Sequence, residues 1–245
     1  MTGQVSVNRG FVPLMSERLL YPMQLWIEGS IEQVIAVANS GVASAIATNP
    51  TIIDRWTSGG QSLEAVVTQV CANVTIPVYV QLHGPTVDEY LREMDHLRAI
   101  SDRIHPKLVA SHAGLAAAKQ IADSGLKPLI TTVATLNQAY LAACAGASYA
   151  APYVGRLHKA GVDTVKLIGD MVTMYQRSGA VTQVAAASIS SPQDAEQMLL
   201  AGASILVMQY DVYQHMLDSE LTAVWIEHFE DNWTHIPYEI KSAVS

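Results

Sequence analysis

Basic residues are scarce in this chain. Lysine and arginine together number 14 against 22 aspartates and glutamates, for a formal net charge of −8. A nucleic-acid binder needs a basic face to neutralise phosphates, and no stretch offers one, so no nucleic-acid partner is expected. Cysteine is scarcer still, with Cys71 and Cys144 alone. That leaves no disulfide framework and no CxxC motif; both cysteines are expected as buried thiols in apolar helical segments of a cytoplasmic protein. No apolar run approaches the length of a membrane span, so no membrane partner is expected. Asn8, Arg9, Ser16, Glu17 and Arg18 interrupt the first twenty residues, so no signal peptide is expected either. The phosphate loops GxGxxG and GxxxxGKS/T are missing, which weakens an open doubly wound nucleotide-binding sheet. HxH and HExxH spacings are missing too, and no metal site is expected.

What the chain does have is bulk and alternation. It runs to 245 residues, of which 50% are hydrophobic. That is enough for one domain with a large core, and it is a common length for an α/β barrel. Strand-like segments are predicted near residues 23–28, 43–48, 77–83, 106–111, 128–133, 148–154, 183–188 and 204–208. Helical segments fall between them, for example 30–39, 86–101, 113–124, 137–145 and 192–201. Ser30, Thr86 and Ser191 stand where helix N-caps belong, and Gly41, Gly125, Gly146 and Gly202 stand just past helix ends. Eight strands alternating with helices predict an α/β fold, a single (β/α)₈ TIM barrel over 23–210. A short N-terminal arm, 1–22, precedes it, and a helical tail, 211–245, follows. In the tail Trp225, Phe229 and Trp233 recur every four residues and share one face, a stripe that suits core packing or a subunit contact.

Side chains alternate faces along a strand. In 78–83 the apolar positions are Val78, Val80 and Leu82, which leaves Tyr79, Gln81 and His83 on the opposite face. In 23–28 Gln24, Trp26 and Glu28 share a face in the same way. If the apolar set faces the helices, Glu28 and Gln81 point into the barrel. Lys107 falls with Val109 and Ser111, opposite Leu108 and Ala110. Thr131, Tyr153 and Ser188 sit late in the fifth, sixth and seventh strands. Barrel chemistry is done at the C-terminal ends of strands, so one site would hold an amine, a carboxylate, a carboxamide, a phenol and hydroxyls. Lys107 is one of only six lysines. Burial in a strand strips an ammonium of hydration and favours the neutral amine, a nucleophile that forms Schiff bases with carbonyls. The plainer reading is a strand-end lysine that snorkels to water.

These residues resemble the transaldolase family, in particular its short branch that includes fructose-6-phosphate aldolase. The resemblance rests on Ala47-Thr48-Asn49-Pro50-Thr51-Ile52-Ile53, on Lys107 followed by Gly114-Leu115-Ala116-Ala117, and on the run from Gly146 to Arg156 with Ala-Pro-Tyr-Val-Gly-Arg at its end. Ala186-Ala187-Ser188 and Leu199-Leu200-Ala201-Gly202-Ala203 complete it, over about 23 to 233. It implies a Schiff-base lysine at Lys107 and an acid/base at Glu28. It also implies substrate hydroxyls held by Thr48 and Asn49, a phosphate held by Arg156 and Ser188, and a catalytic water on Gln81, Thr131 and Tyr153. The implied substrates are ketose phosphates and aldehydes, with no cofactor. The implied assembly is a homo-oligomer, a pentamer or decamer, with the C-terminal helix on a neighbour. Gln81 and Tyr153 lean towards the aldolase-like branch. The chain departs from the family where Glu28 replaces aspartate, Leu108 a frequent proline, Gly155 a common asparagine and Ser190 a basic residue. Two other readings stand beside it: a sugar-phosphate-binding barrel without catalysis, and a metal-dependent aldolase using His83 and His112.

Overall fold

The computed structural model describes residues 22–237; nearly all of the expected N-terminal arm therefore lies outside the described residues. Eight parallel strands close into a barrel in chain order: β1 (Gln24–Glu28), β2 (Ala43–Ala47), β3 (Val78–Gln81), β4 (Ile104–Val109), β5 (Leu129–Val133), β6 (Tyr149–Pro152), β7 (Gln183–Ile189) and β8 (Ile205–Gln209). Closure is made by β1 on β8, with Glu28 opposite Gln209. The helices that return the chain are α1 (Ile31–Asn39), α2 (Pro50–Thr57), α3 (Leu63–Asn73), α4 (Val87–Arg98), α5 (His112–Asp123), α6 (Leu136–Cys144), α7 (Val154–Lys159), α8 (Thr164–Ser178), α9 (Pro192–Leu200) and α10 (Tyr210–His215). A longer helix, α11 (Glu220–Thr234), follows.

The helices start where local chemistry tells them to. Ser30, Thr86 and Thr135 each form a capping box with the Gln or Glu three residues on, and Ser191 caps α9. Each such cap satisfies otherwise orphaned N–H groups and contributes about 1 kcal/mol. Gly41, Gly125, Gly146 and Gly202 all take positive φ just beyond helix ends, as the spacing predicts.

Two cores result. The outer one, between strands and helices, is aliphatic: Ile27, Ile46, Val78, Val80, Leu108, Ile130 and Ala186 from the strands meet Val34, Val67, Leu97 and Met198 from the helices. The inner one fills the barrel by matching large to small. Trp26, Tyr79 and Tyr149 occupy space left by Ala45, Ala47, Ala151, Ala185 and Ala187. Trp26 stacks on Tyr79 at 4.4 Å between ring centroids, Tyr79 stacks on His105 at 5.3 Å, and Tyr149 meets Trp26 and Tyr79 edge-on. Burial raises the Tyr79 phenol far above its ordinary value and raises that of Tyr149 as well, so this aromatic floor is dry and uncharged.

Four details differ from the sequence reading. β4 begins at Ile104, so Pro106 lies inside the strand and His105 joins the inward set. Val109 packs with the outer core rather than beside Lys107, and Ser111 lies past the strand as the N-cap of α5, because the chain turns where Ser111 N donates to Val109 O. Cys71 is buried as expected, but Cys144 is exposed, since it ends α6 on the side away from the barrel core. No residue of α11 is buried, and Trp225, Phe229 and Trp233 are each more than half exposed. Core packing is therefore not what that stripe does.

Candidate active site

The C-terminal ends of the strands gather most of the expected side chains around Lys107. Its position on β4 puts it between Gln81 of β3 and Leu129 of β5 in register, on the inward face directly above the aromatic floor. Lys107 is 2% exposed, so it does not snorkel. Its Nζ donates to Thr48 O at 2.7 Å and lies 4.0 Å from Glu28 Oε1. The amine is thus held by a carbonyl and faced by a carboxylate, inside a largely apolar tube.

Glu28, 6% exposed, ends β1. Its Oε1 accepts from Asn49 Nδ2 at 3.3 Å, and its Oε2 accepts from Gln209 Nε2 at 2.8 Å. Asn49 is fixed in turn, because its Oδ1 accepts from Ile52 N and caps α2, whose first residue is Pro50. The Asn-Pro pair is therefore a helix start and a carboxylate clamp at once.

Thr48 ties neighbouring strands together. Its hydroxyl donates to Tyr79 O and accepts from Gln81 N, each at 3.1 Å, and the residue is fully buried. Its side chain thereby braces β2 on β3, and its carbonyl accepts from Lys107.

Two buried oxygens near the amine, Gln81 Oε1 and Thr131 Oγ1, have no hydrogen-bond partner among the described residues. Buried polar atoms in folded proteins almost always have one. Gln81 is the register partner of Lys107, and Thr131 ends up opposite Val109 one strand away. Both therefore stand ready for a ligand or a bridging water. Tyr153 follows β6 and bridges to Ala187 of β7. Its ring lies between Lys107 Nζ, 5.7 Å from its centroid, and the Arg156 guanidinium at 4.9 Å.

Arg156 is exposed on α7, beyond Tyr153. Ser188 lies beside the start of that helix at φ 59°, left-handed backbone that is uncommon for a residue with a side chain. A register shift between Ala186 and Ile189 marks the same distortion. The departure at Gly155 follows from it. A Cβ on Gly155 would lie 2.7 Å from Ser188 O, so the turned-in backbone of β7 occupies the space an asparagine would need. Ser190 donates N–H and O–H to Asp194 Oδ2, which commits its hydroxyl to the start of α9.

His83 and His112 do not converge with other metal ligands; His83 N donates to Glu93 Oε2, and His112 begins α5. Among the described residues no three His, Cys, Asp or Glu side chains lie close enough together to hold a metal ion. Sequence reasoning missed Gln209. The signal was there, since Ile205, Val207 and Gln209 alternate with Leu206 and Met208 and end β8 on an inward carboxamide, just as Gln81 ends β3.

Comparison with known proteins points the same way. A family model described as Transaldolase/Fructose-6-phosphate aldolase matches residues 28–240. The chain is 34% identical over 212 residues to a probable transaldolase of Alkaliphilus metalliredigens, covering 86% of this chain and 98% of that one. It is 32% identical over 215 residues to a probable transaldolase of Moorella thermoacetica, at 87% and 99% coverage. A probable transaldolase of Dictyoglomus turgidum is 28% identical over 216 residues, at 88% and 100% coverage.

Proposed function

The chain belongs to the transaldolase/fructose-6-phosphate aldolase family, and from that premise we propose that it cleaves ketose phosphates between C3 and C4 through a Schiff base on Lys107, releasing a dihydroxyacetone unit or passing it to an aldehyde acceptor. The observation that carries this is the position of Lys107 Nζ: inward, nearly inaccessible to solvent, 2.7 Å from Thr48 O and 4.0 Å from the Glu28 carboxylate.

The Lys107 amine attacks the ketone carbon, loss of water gives an imine, and uptake of a proton makes it an iminium. Glu28 accepts the proton of the C4 hydroxyl, the C3–C4 electrons flow into the iminium, and an aldehyde phosphate leaves. The enamine that remains takes a proton at C3 and is hydrolysed, or attacks a second aldehyde; the first outcome is aldolase activity and the second transaldolase activity. The unpartnered oxygens of Gln81 and Thr131 support a water held there, which with Tyr153 would move protons as the imine forms and breaks. Asn49 would hold a substrate hydroxyl. Arg156 and Ser188 would hold the phosphate, with Arg156 supplying charge that the protein as a whole, at −8, does not. The mechanism calls on no metal or organic cofactor.

The exposed stripe of α11 supports a homo-oligomer in which this helix packs on a neighbour. Two free cysteines suit the cytoplasm, and no helix among the described residues is long and apolar enough to cross a membrane.

Borohydride added during turnover of fructose 6-phosphate should fix a dihydroxyacetone-derived mass on Lys107. Lys107→Met should lower turnover by about 10³-fold or more. A barrel that only binds sugar phosphates would keep its ligand in the Met variant and never gain the trapped mass. Turnover by a native protein whose Lys107 stays unmodified would end the proposal.

A further inference from the structure

Among the described residues, nine of eleven helices begin with a Ser, Thr, Asn or Asp whose side chain accepts a hydrogen bond from the first turn. The exceptions are Tyr153 before α7 and Gln209 before α10. Neither side chain caps its helix, because each is used inside the barrel mouth. Tyr153 lies between Lys107 and Arg156. Gln209 reaches across the β1–β8 seam and donates to Glu28 Oε2 at 2.8 Å.

That bond divides the work of the two carboxylate oxygens. Oε2 is tied to β8, while Oε1 takes Asn49 Nδ2 and faces Lys107. The division matters because the last rotatable bond of a glutamate lets its carboxylate turn. A carboxylate held from one side only would swing about that bond. A shift of about 1 Å in a reacting group can cost on the order of 10²-fold in rate. A carboxamide is well suited to such anchoring. It donates to the carboxylate without competing for the proton the carboxylate must accept, and it brings no charge of its own to oppose the iminium.

We infer that Gln209 is a positioning residue for the aldol reaction: it anchors Oε2 of Glu28 so that Oε1 stays beside Lys107 and the C4 hydroxyl. The inference rests on the function proposed above and adds to it the residue that makes a glutamate workable at this position.

The test uses the full chain, with fructose 6-phosphate cleavage followed as released glyceraldehyde 3-phosphate and borohydride trapping at Lys107 measured on the same samples. Gln209→Leu should lower kcat about tenfold, the usual worth of one hydrogen bond to a charged group, with KM changed less than about twofold. The yield of trapped Lys107 should not change, since imine formation does not need the Glu28 carboxylate fixed. Gln209→Asn keeps the amide but draws it back by one methylene. It should show the same loss, and it guards against a Leu variant that fails to fold. In a Glu28→Asp background the shorter carboxylate already stands back from β8, so adding Gln209→Leu should cost less than about another twofold. Unchanged kcat in the Gln209 variants, fully additive losses in the double variant, or a fall in trapping parallel to the fall in kcat would each overturn the inference. A native protein that neither cleaves nor traps would sink the proposed function itself. A native protein that does both while the Gln209 variants stay normal would sink only the role of Gln209.

Discussion

Lys107 and Glu28 are both buried and stand 4.0 Å apart, and the residues around them show how dry the site is. His105 gives a measurable consequence one layer below. Its ring is stacked on Tyr79, and its Nδ1 has no partner among the described residues. Burial foremost, then the nearby charges of Arg98 and Lys127, hold the imidazole below its ordinary value of 6.5. A histidine with a depressed folded-state value binds its proton more readily in the unfolded chain. Its stabilising contribution is complete above about pH 6.5 and is lost as the pH falls through the folded-state value. Thermal unfolding followed between about pH 7 and about pH 5 should therefore show a steeper loss of Tm for the native protein than for His105→Phe, which cannot take up that proton. Equal slopes would mean that the floor is wetter than the stacking implies.

Elements decide where these residues stand, and two glycines show how tightly. Gly114 is the third residue of α5, and a Cβ there would lie 2.1 Å from Val109 O, at the end of the strand that carries Lys107. Gly169, inside α8, would bring its Cβ no closer than 3.8 Å to Ala201 O. Helix propensity alone predicts that alanine at either position gains up to about 1 kcal/mol. Packing reverses the sign at Gly114, where the clash is with backbone that cannot step aside, and overpacking costs about 1–3 kcal/mol. Gly169→Ala should raise the urea midpoint, and Gly114→Ala should lower it. A rise in both would show that β4 and α5 have slack between them. The element plan is legible in the sequence because caps, positive-φ glycines and period-two strands are local signals. Pro106 reads as a strand start, which sets the expected β4 two residues late, although in this barrel it is an interior position. The left-handed turns at Thr132 and Ser188 are not legible at all, since both are bulges set by how neighbouring strands fit.

At the scale of the molecule, the barrel buries its own apolar surface and α11 does not. Val224, Trp225, Ile226, Phe229 and Trp233 are each at least 54% exposed on a single 15-residue helix. A contiguous apolar face of that kind is stable in water only when something covers it. Light scattering on the native protein should give several times the single-chain mass. Replacing Trp225 and Phe229 together by Asp should bring the mass down while the circular dichroism of the barrel persists. A native monomer would remove the subunit contact proposed for this helix.

The sequence by itself determined the barrel, its eight strands and the inward face that carries Glu28 and Gln81, because residue periodicity and capping are properties of short segments. The family followed from the Thr48–Pro50 and Pro152–Arg156 stretches, and the match over residues 28–240 agrees. What only the tertiary structure decided are the partnerships across the barrel. Thr48 gives its carbonyl to Lys107, and its hydroxyl donates to Tyr79 O. Glu28 is gripped by a glutamine 181 residues away. No local pattern links those two positions; they meet because the sheet closes on itself, and that closure is a property of all eight strands together.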